Sequence, residues 1–132
     1  MRYEIQHKHK EFNQLMLIDT NNSVLRGKLR EQEPMSRHTS WKTGGVADYY
    51  YKAADIDDLC EFMQVVPITI PLTWVGFGSN LLVRDGGIRG VVISVSGVLN
   101  DLESISQTEL RIGAGNACVK AARFAAKQDL TG

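Results

Sequence analysis

The chain has 132 residues, 43% of them hydrophobic and 23% charged, a length and composition that fit one compact domain of modest core. Lysine plus arginine and aspartate plus glutamate both number 15, so the formal net charge is zero and nothing in the composition attracts a nucleic acid or another polyanion. The opening stretch is polar, and no segment approaches the roughly 18 apolar residues of a membrane span, so a cytoplasmic protein without nucleic-acid or membrane partners is expected.

From Glu11 onward, Phe12, Leu15 and Met16 recur at helical spacing and predict a short amphipathic helix ending near Asn21 and Asn22, so residues 1–24 read as a helical N-terminal extension. His7 and His9 lack the further ligands of a metal site and read as part of a solvated segment. The stretch 26–40 is polar and contains Pro34, which predicts an extended connection rather than a packed element. Gly44 and Gly45 mark a tight turn, and the tyrosine-rich run 47–53, with Tyr49, Tyr50 and Tyr51 in succession, reads as a strand.

Asp55 suits an N-cap, and Asp57 and Asp58 complement the dipole of a first turn. Ile56, Leu59, Cys60 and Met63 then recur at i, i+3, i+4 and i+7 as the apolar stripe of a helix that Pro67 stops. The run 70–77 is apolar and β-prone, as expected of a strand buried on both faces, and it leads directly into Gly76-Phe77-Gly78-Ser79-Asn80. Two further strands are predicted at 91–95 and 109–112, the second alternating so that one face is wet. Asn116 can cap a last helix over 117–127, with Lys120, Arg123 and Lys127 on one exposed stripe and an apolar side still in need of a partner. Cys60 and Cys118, without CxxC spacing or a nearby histidine, read as buried reduced thiols rather than metal ligands.

A strand that runs into Gly-x-Gly-Ser-Asn presents backbone N–H groups with no side chains in the way, so the backbone can approach an anionic phosphate closely. Ser79 and Asn80 add a hydroxyl and an amide to the same cradle, which suits a pyrophosphate; a plain glycine turn between two strands fits the same five residues. A Rossmann dinucleotide fingerprint does not. Leu81 stands at its third glycine, residues 81–87 are too short and glycine-rich to open its helix, and no regular βαβ unit follows.

The string His38-Thr39-Ser40-Trp41-Lys42-Thr43-Gly44-Gly45-Val46-Ala47-Asp48, the string from Gly76 through Asn80, Leu81, Leu82 and Arg84-Asp85-Gly86-Gly87 to Gly90, and the later Gly113-Ala114-Gly115 together resemble the UDP-N-acetylenolpyruvoylglucosamine reductases of bacterial cell-wall synthesis. The similarity extends from about Leu25 to the C-terminus; Val46 replaces a proline common in that family. The resemblance implies an α/β (α+β) FAD-binding fold of the vanillyl-alcohol-oxidase (PCMH) type, truncated here to a small sheet flanked by helices. Residues 25–132 would be the FAD-binding domain, incomplete at its C-terminus, with a second FAD-binding part and a substrate domain beyond it. Carried over residue by residue, Gly76, Phe77, Gly78, Ser79, Asn80, Leu81 and Leu82 would hold the cofactor's pyrophosphate, with Gly113, Ala114 and Gly115 a second contact.

The resemblance also implies an activity. NADPH reduces the flavin, which delivers hydride to the enolpyruvyl double bond of a UDP-sugar to give UDP-N-acetylmuramate. The arginine, serine and glutamate that serve this chemistry in the family lie beyond Gly132, so no catalytic residue is expected here and the piece alone is expected to be inactive. Thr39, Trp41, Gly44 and Gly45 fit either a hairpin bracing the first strand or a cofactor contact. Arg84 faces either phosphates or its neighbour Asp85, and the tyrosine triplet suits core and sheet surface better than a flavin stack. Two other readings remain open at this stage: a flavin-dependent oxidoreductase of the same fold acting on another substrate, and a non-catalytic binding module in which the glycine loop is only a turn.

Overall fold

The computed structural model describes residues 25–130, so the predicted helix near residue 12 lies outside the described residues. In chain order the elements are β1 (Lys28–Pro34), a single 3-10 turn (Met35–Arg37), β2 (Val46–Lys52), α1 (Ile56–Val65), β3 (Leu72–Val75), β4 (Ile88–Ser94), β5 (Leu102–Ser104), β6 (Leu110–Ile112) and α2 (Cys118–Lys127). One sheet has the order β1-β2-β4-β3, with β1 antiparallel to β2 and the pairs β2–β4 and β4–β3 parallel; β5 and β6 form a separate antiparallel hairpin. Parallel strands need a crossover, and α1 supplies the one from β2 to β3, which flank β4.

The tyrosine triplet is core, as expected, and the pleat splits it between two layers. Tyr49 and Tyr51 point to the α1 side and pack with Leu59, Phe62, Val91 and Ile93, while Tyr50 points the other way, with Met35, Val75, Val83 and Val92. Phe62 stacks on Tyr51 with ring centroids 3.6 Å apart. Ile93, fully buried between β2 and β3, makes a clean probe of the first layer: Ile93→Val is expected to cost about 1 kcal/mol, read as a lower urea midpoint at unchanged slope.

Several expectations are corrected. The stretch 26–40 is not merely a connection, because Lys28–Pro34 pairs along β2 from Lys28↔Lys52 to Pro34↔Val46. It is an edge strand with its outer face wet, which is why it is polar and why Pro34, which has no N–H to give, is tolerated at its end. The strand expected over 70–77 shrinks to Leu72–Val75 at the opposite edge, with Trp74 and Phe77 about half exposed instead of buried on both faces.

Helix α1 forms as predicted, and Asp55 caps it by accepting from the Asp58 amide at 3.0 Å, but its buried side is turned by about one residue. Asp58, Leu59 and Phe62 face inward, whereas Ile56, Cys60 and Met63 are exposed. Asp58 sets this phase by accepting bonds from the amides of Arg26, Gly27 and Ala54 and from the Tyr51 hydroxyl. Cys118 is exposed as well, so neither cysteine is the buried thiol expected. Asn116 does not cap α2: its side-chain amide donates to the carbonyls of Asp101 and Gly113, leaving Ala117 at the cap position with no side-chain bond. Among the described residues no helix is long and apolar enough to cross a membrane.

Candidate functional site

The glycine turn begins where β3 ends, at the carboxyl side of the parallel strands. Gly78 sits in the left-handed region at φ +64, and an added Cβ there would overlap the carbonyl oxygen of His38. The close approach is fixed by the Ser40 amide, which donates to the Gly78 carbonyl at 3.1 Å. Further along, the Gly45 amide donates to the Arg84 carbonyl at 3.0 Å, and Gly45 packs so tightly on Asp85 that a side chain would strike its carbonyl. The segment 38–45 is therefore a strap laid along the loop 76–87. Thr39 is buried within it and donates to the Thr43 carbonyl, while Trp41 stands exposed. Of the two roles left open for Thr39, Gly44 and Gly45, these contacts display the bracing one.

Arg84 takes part through its carbonyl, and no ion pair joins its side chain to Asp85 among the described residues. The charged pair nearby is Arg89 with buried Asp48, 2.9 Å apart, which also accepts from the Gly90 amide and anchors the start of β4.

Bracing leaves one side of the turn open. Among the described residues the backbone N–H groups of residues 76–80 donate to no acceptor, although those of half-buried Gly76 and buried Gly78 would ordinarily find one. Across from them stands the start of α2. Without a side-chain cap the N–H groups of Cys118 and Val119 are also open, that of Lys120 going to the Ala117 carbonyl at 2.9 Å, and the helix dipole places partial positive charge there. The two walls come close, since an added Cβ on Gly76 would lie 2.9 Å from the Ala114 carbonyl oxygen. Between them runs a groove of about 600 Å³, with residues 74–81 on one wall, Ala114 and residues 116–119 on the other, and Ser40 at the rim. No charged side chain lines it; exposed Trp74, Phe77 and Val119 give it apolar flanks.

The structure thus brings together Gly76, Phe77, Gly78, Ser79, Asn80, Leu81 and Ala114 from the expected set. Leu82 is exposed outside the groove. Gly113 and Gly115 serve packing. Their amides are spent on the carbonyls of Asp101 and Leu99, and side chains at either position would run into Leu99. Sequence reasoning missed Ala117, Cys118 and Val119, because an uncapped helix start is visible only once Asn116 is seen to bond elsewhere.

A pyrophosphate fits this donor set. Converging N–H dipoles and a helix N-terminus hold anions without any lysine or arginine, and the apolar flanks suit the organic parts of a dinucleotide. The fold and the uncharged groove are compatible with a cofactor-binding domain. Residues 47–132 match the family described as FAD binding domain, and the chain belongs to that family, with FAD as its cofactor. It is 49% identical over 108 residues to the UDP-N-acetylenolpyruvoylglucosamine reductase of Nitrosococcus oceani, covering 82% of this chain and 36% of that protein. For the reductase of the same name from Nitrosomonas eutropha the figures are 47% over 119 residues, 87% and 35%; for that of Legionella pneumophila they are 43% over 106 residues, 80% and 34%. The resemblance carried by the two glycine motifs is borne out, as is the FAD-binding fold, and the chain spans about a third of the length of the curated relatives it matches.

Proposed function

We propose that this chain is the FAD-holding portion, residues 25–132, of a cytoplasmic reductase of peptidoglycan synthesis that uses NADPH to convert UDP-N-acetylglucosamine enolpyruvate to UDP-N-acetylmuramate. The observation that carries the reading is the convergence of open N–H groups from residues 76–80 and from the start of α2 on one uncharged groove. In it the amides of Gly76, Phe77, Gly78, Ser79 and Asn80 donate to the cofactor's pyrophosphate, and the Ser79 hydroxyl and Asn80 amide add donors at the mouth. Trp74, Phe77 and Val119 exclude water from the flanks. Bound FAD supplies the hydride-transfer chemistry. Leu82, Gly113 and Gly115 shape the loop ends rather than touch the phosphates. No residue of this chain is assigned a catalytic role, so these residues alone are expected not to turn over.

The test is a fluorescence titration with FAD on the protein containing the whole reductase sequence, followed by NADPH oxidation with and without the enolpyruvyl UDP-sugar. Saturable FAD binding with substrate-dependent oxidation is expected. Binding without oxidation would shift the reading to another flavin-dependent oxidoreductase, and absence of binding would leave a non-catalytic module.

A further inference from the structure

A second groove lies on the other side of the Gly76–Phe77 bend. It encloses about 320 Å³ and is lined by Arg37, His38, Lys52, Phe77, Ser94 and Ser96 among others. Its position follows from the topology. Lys52 ends β2, Ser94 ends β4, and Phe77 follows β3, so the groove opens at the carboxyl ends of all three parallel strands. The connection leaving β2, through α1, covers the Tyr51 face, whereas the one leaving β3 covers the Tyr50 face with Leu81 and Val83. Where successive connections diverge to opposite faces, a crevice is left between strand ends, and ligands of open α/β sheets bind in such crevices.

The chemistry of the groove is that of an anion site and differs from the cradle. Arg37 and Lys52 bring two cations. Arg37 is 4.0 Å from Glu33, with its side chain 68% exposed, and no ion pair holds Lys52 among the described residues. Glu33 itself is buried and already accepts from Arg30 and His38, each at 2.9 Å, so its charge is taken up below the groove floor. His38 is held flat on Tyr50, centroids 4.0 Å apart, which fixes the wall. Ser94 is 4% exposed as a residue, and its hydroxyl, which lines the groove, makes no hydrogen bond among the described residues.

We infer that this groove binds a phosphoryl group: Arg37 and Lys52 supply charge, and Ser94 and Ser96 donate hydroxyl bonds. The volume, at the small end of ligand pockets, holds a phosphate with a ribose and not a whole dinucleotide.

The probes are inorganic phosphate and AMP, titrated calorimetrically into protein saturated with FAD so that the glycine cradle is filled. Saturable binding is expected, weakened at least ten-fold in the double variant Arg37→Ala/Lys52→Ala and several-fold in Ser94→Ala. Flavin content and the visible spectrum should stay as in the parent, since none of the three residues lines the first groove. AMP tighter than phosphate assigns a nucleotide, and equal affinities assign free phosphate. No binding by either probe, binding that disappears when FAD is added, or binding untouched by the double variant would overturn the inference.

Discussion

Gly78→Val is expected to lower FAD affinity at least a hundred-fold, while Gly86→Ala, whose added Cβ meets no neighbour, should leave it within two-fold. The reason lies on the braced side of the turn rather than the open one. Gly78 is left-handed at φ +64, which by itself disfavours a side chain by roughly 1–2 kcal/mol and more for a β-branched one. The larger effect is steric, because the new Cβ would occupy the space of the His38 carbonyl oxygen, with the Thr39 backbone directly behind it. Neither backbone neighbour can swing aside as a flexible side chain would. The turn must therefore separate from the strap, lose the bond from the Ser40 amide, and carry its five open N–H groups out of register with α2. A Cβ on Gly86 meets nothing within 4 Å, which makes that variant the control for handling and expression. Flavin fluorescence quenching measures both. Near-parental binding by Gly78→Val would remove the turn from the cofactor site.

The same turn shows how far the sequence could be read. Its position after an apolar run, its glycines and its Ser-Asn pair announced an anion cradle from local chemistry alone. What the string could not announce was which glycines face the ligand and which face protein. Gly45 and Gly115 are as prominent as Gly76 in sequence, yet they are small because the carbonyls of Asp85 and of Val95 press on them from segments tens of residues away. The opposite wall of the groove was hidden for a related reason. Asn116 looked like a cap, and only its bonds to Asp101 and Gly113 reveal that α2 starts uncapped. In β1 a polar string concealed a strand, because alternation says little where one face and one edge meet water. The phase of α1 was missed because a buried carboxylate, which no hydrophobicity pattern counts as core, chooses the inward face.

That carboxylate yields the largest stability effect expected in the molecule. Asp58→Ala should cost roughly 3–5 kcal/mol, because it removes the fully buried carboxylate that accepts from the part-buried amides of Arg26, Gly27 and Ala54 and from the buried Tyr51 hydroxyl. Burial by itself would raise the Asp58 pKa, but the bonds from the Ala54 and Arg26 amides, the Tyr51 hydroxyl and the Gly27 amide outweigh it and hold the carboxyl below its ordinary value. Tyr51 shows the reciprocal effect, its phenol pushed up by burial and by the bond to Asp58. A folded-state pKa below the unfolded value of about 3.9 means that the contribution is fully present above that pH and is lost as the pH falls through the folded value. Denaturant unfolding of parent and variant at neutral pH and again near pH 3 reads both parts. The gap between the two proteins should be widest at neutral pH and narrow on acidification. Asp58→Asn, which keeps one carbonyl acceptor, should fall between them, and Asp57→Ala, on the exposed side of the same turn, should stay near the parent. A gap that is small at neutral pH, or that widens in acid, would show that the clasp between the start of β1 and α1 is not what fixes the helix on the sheet.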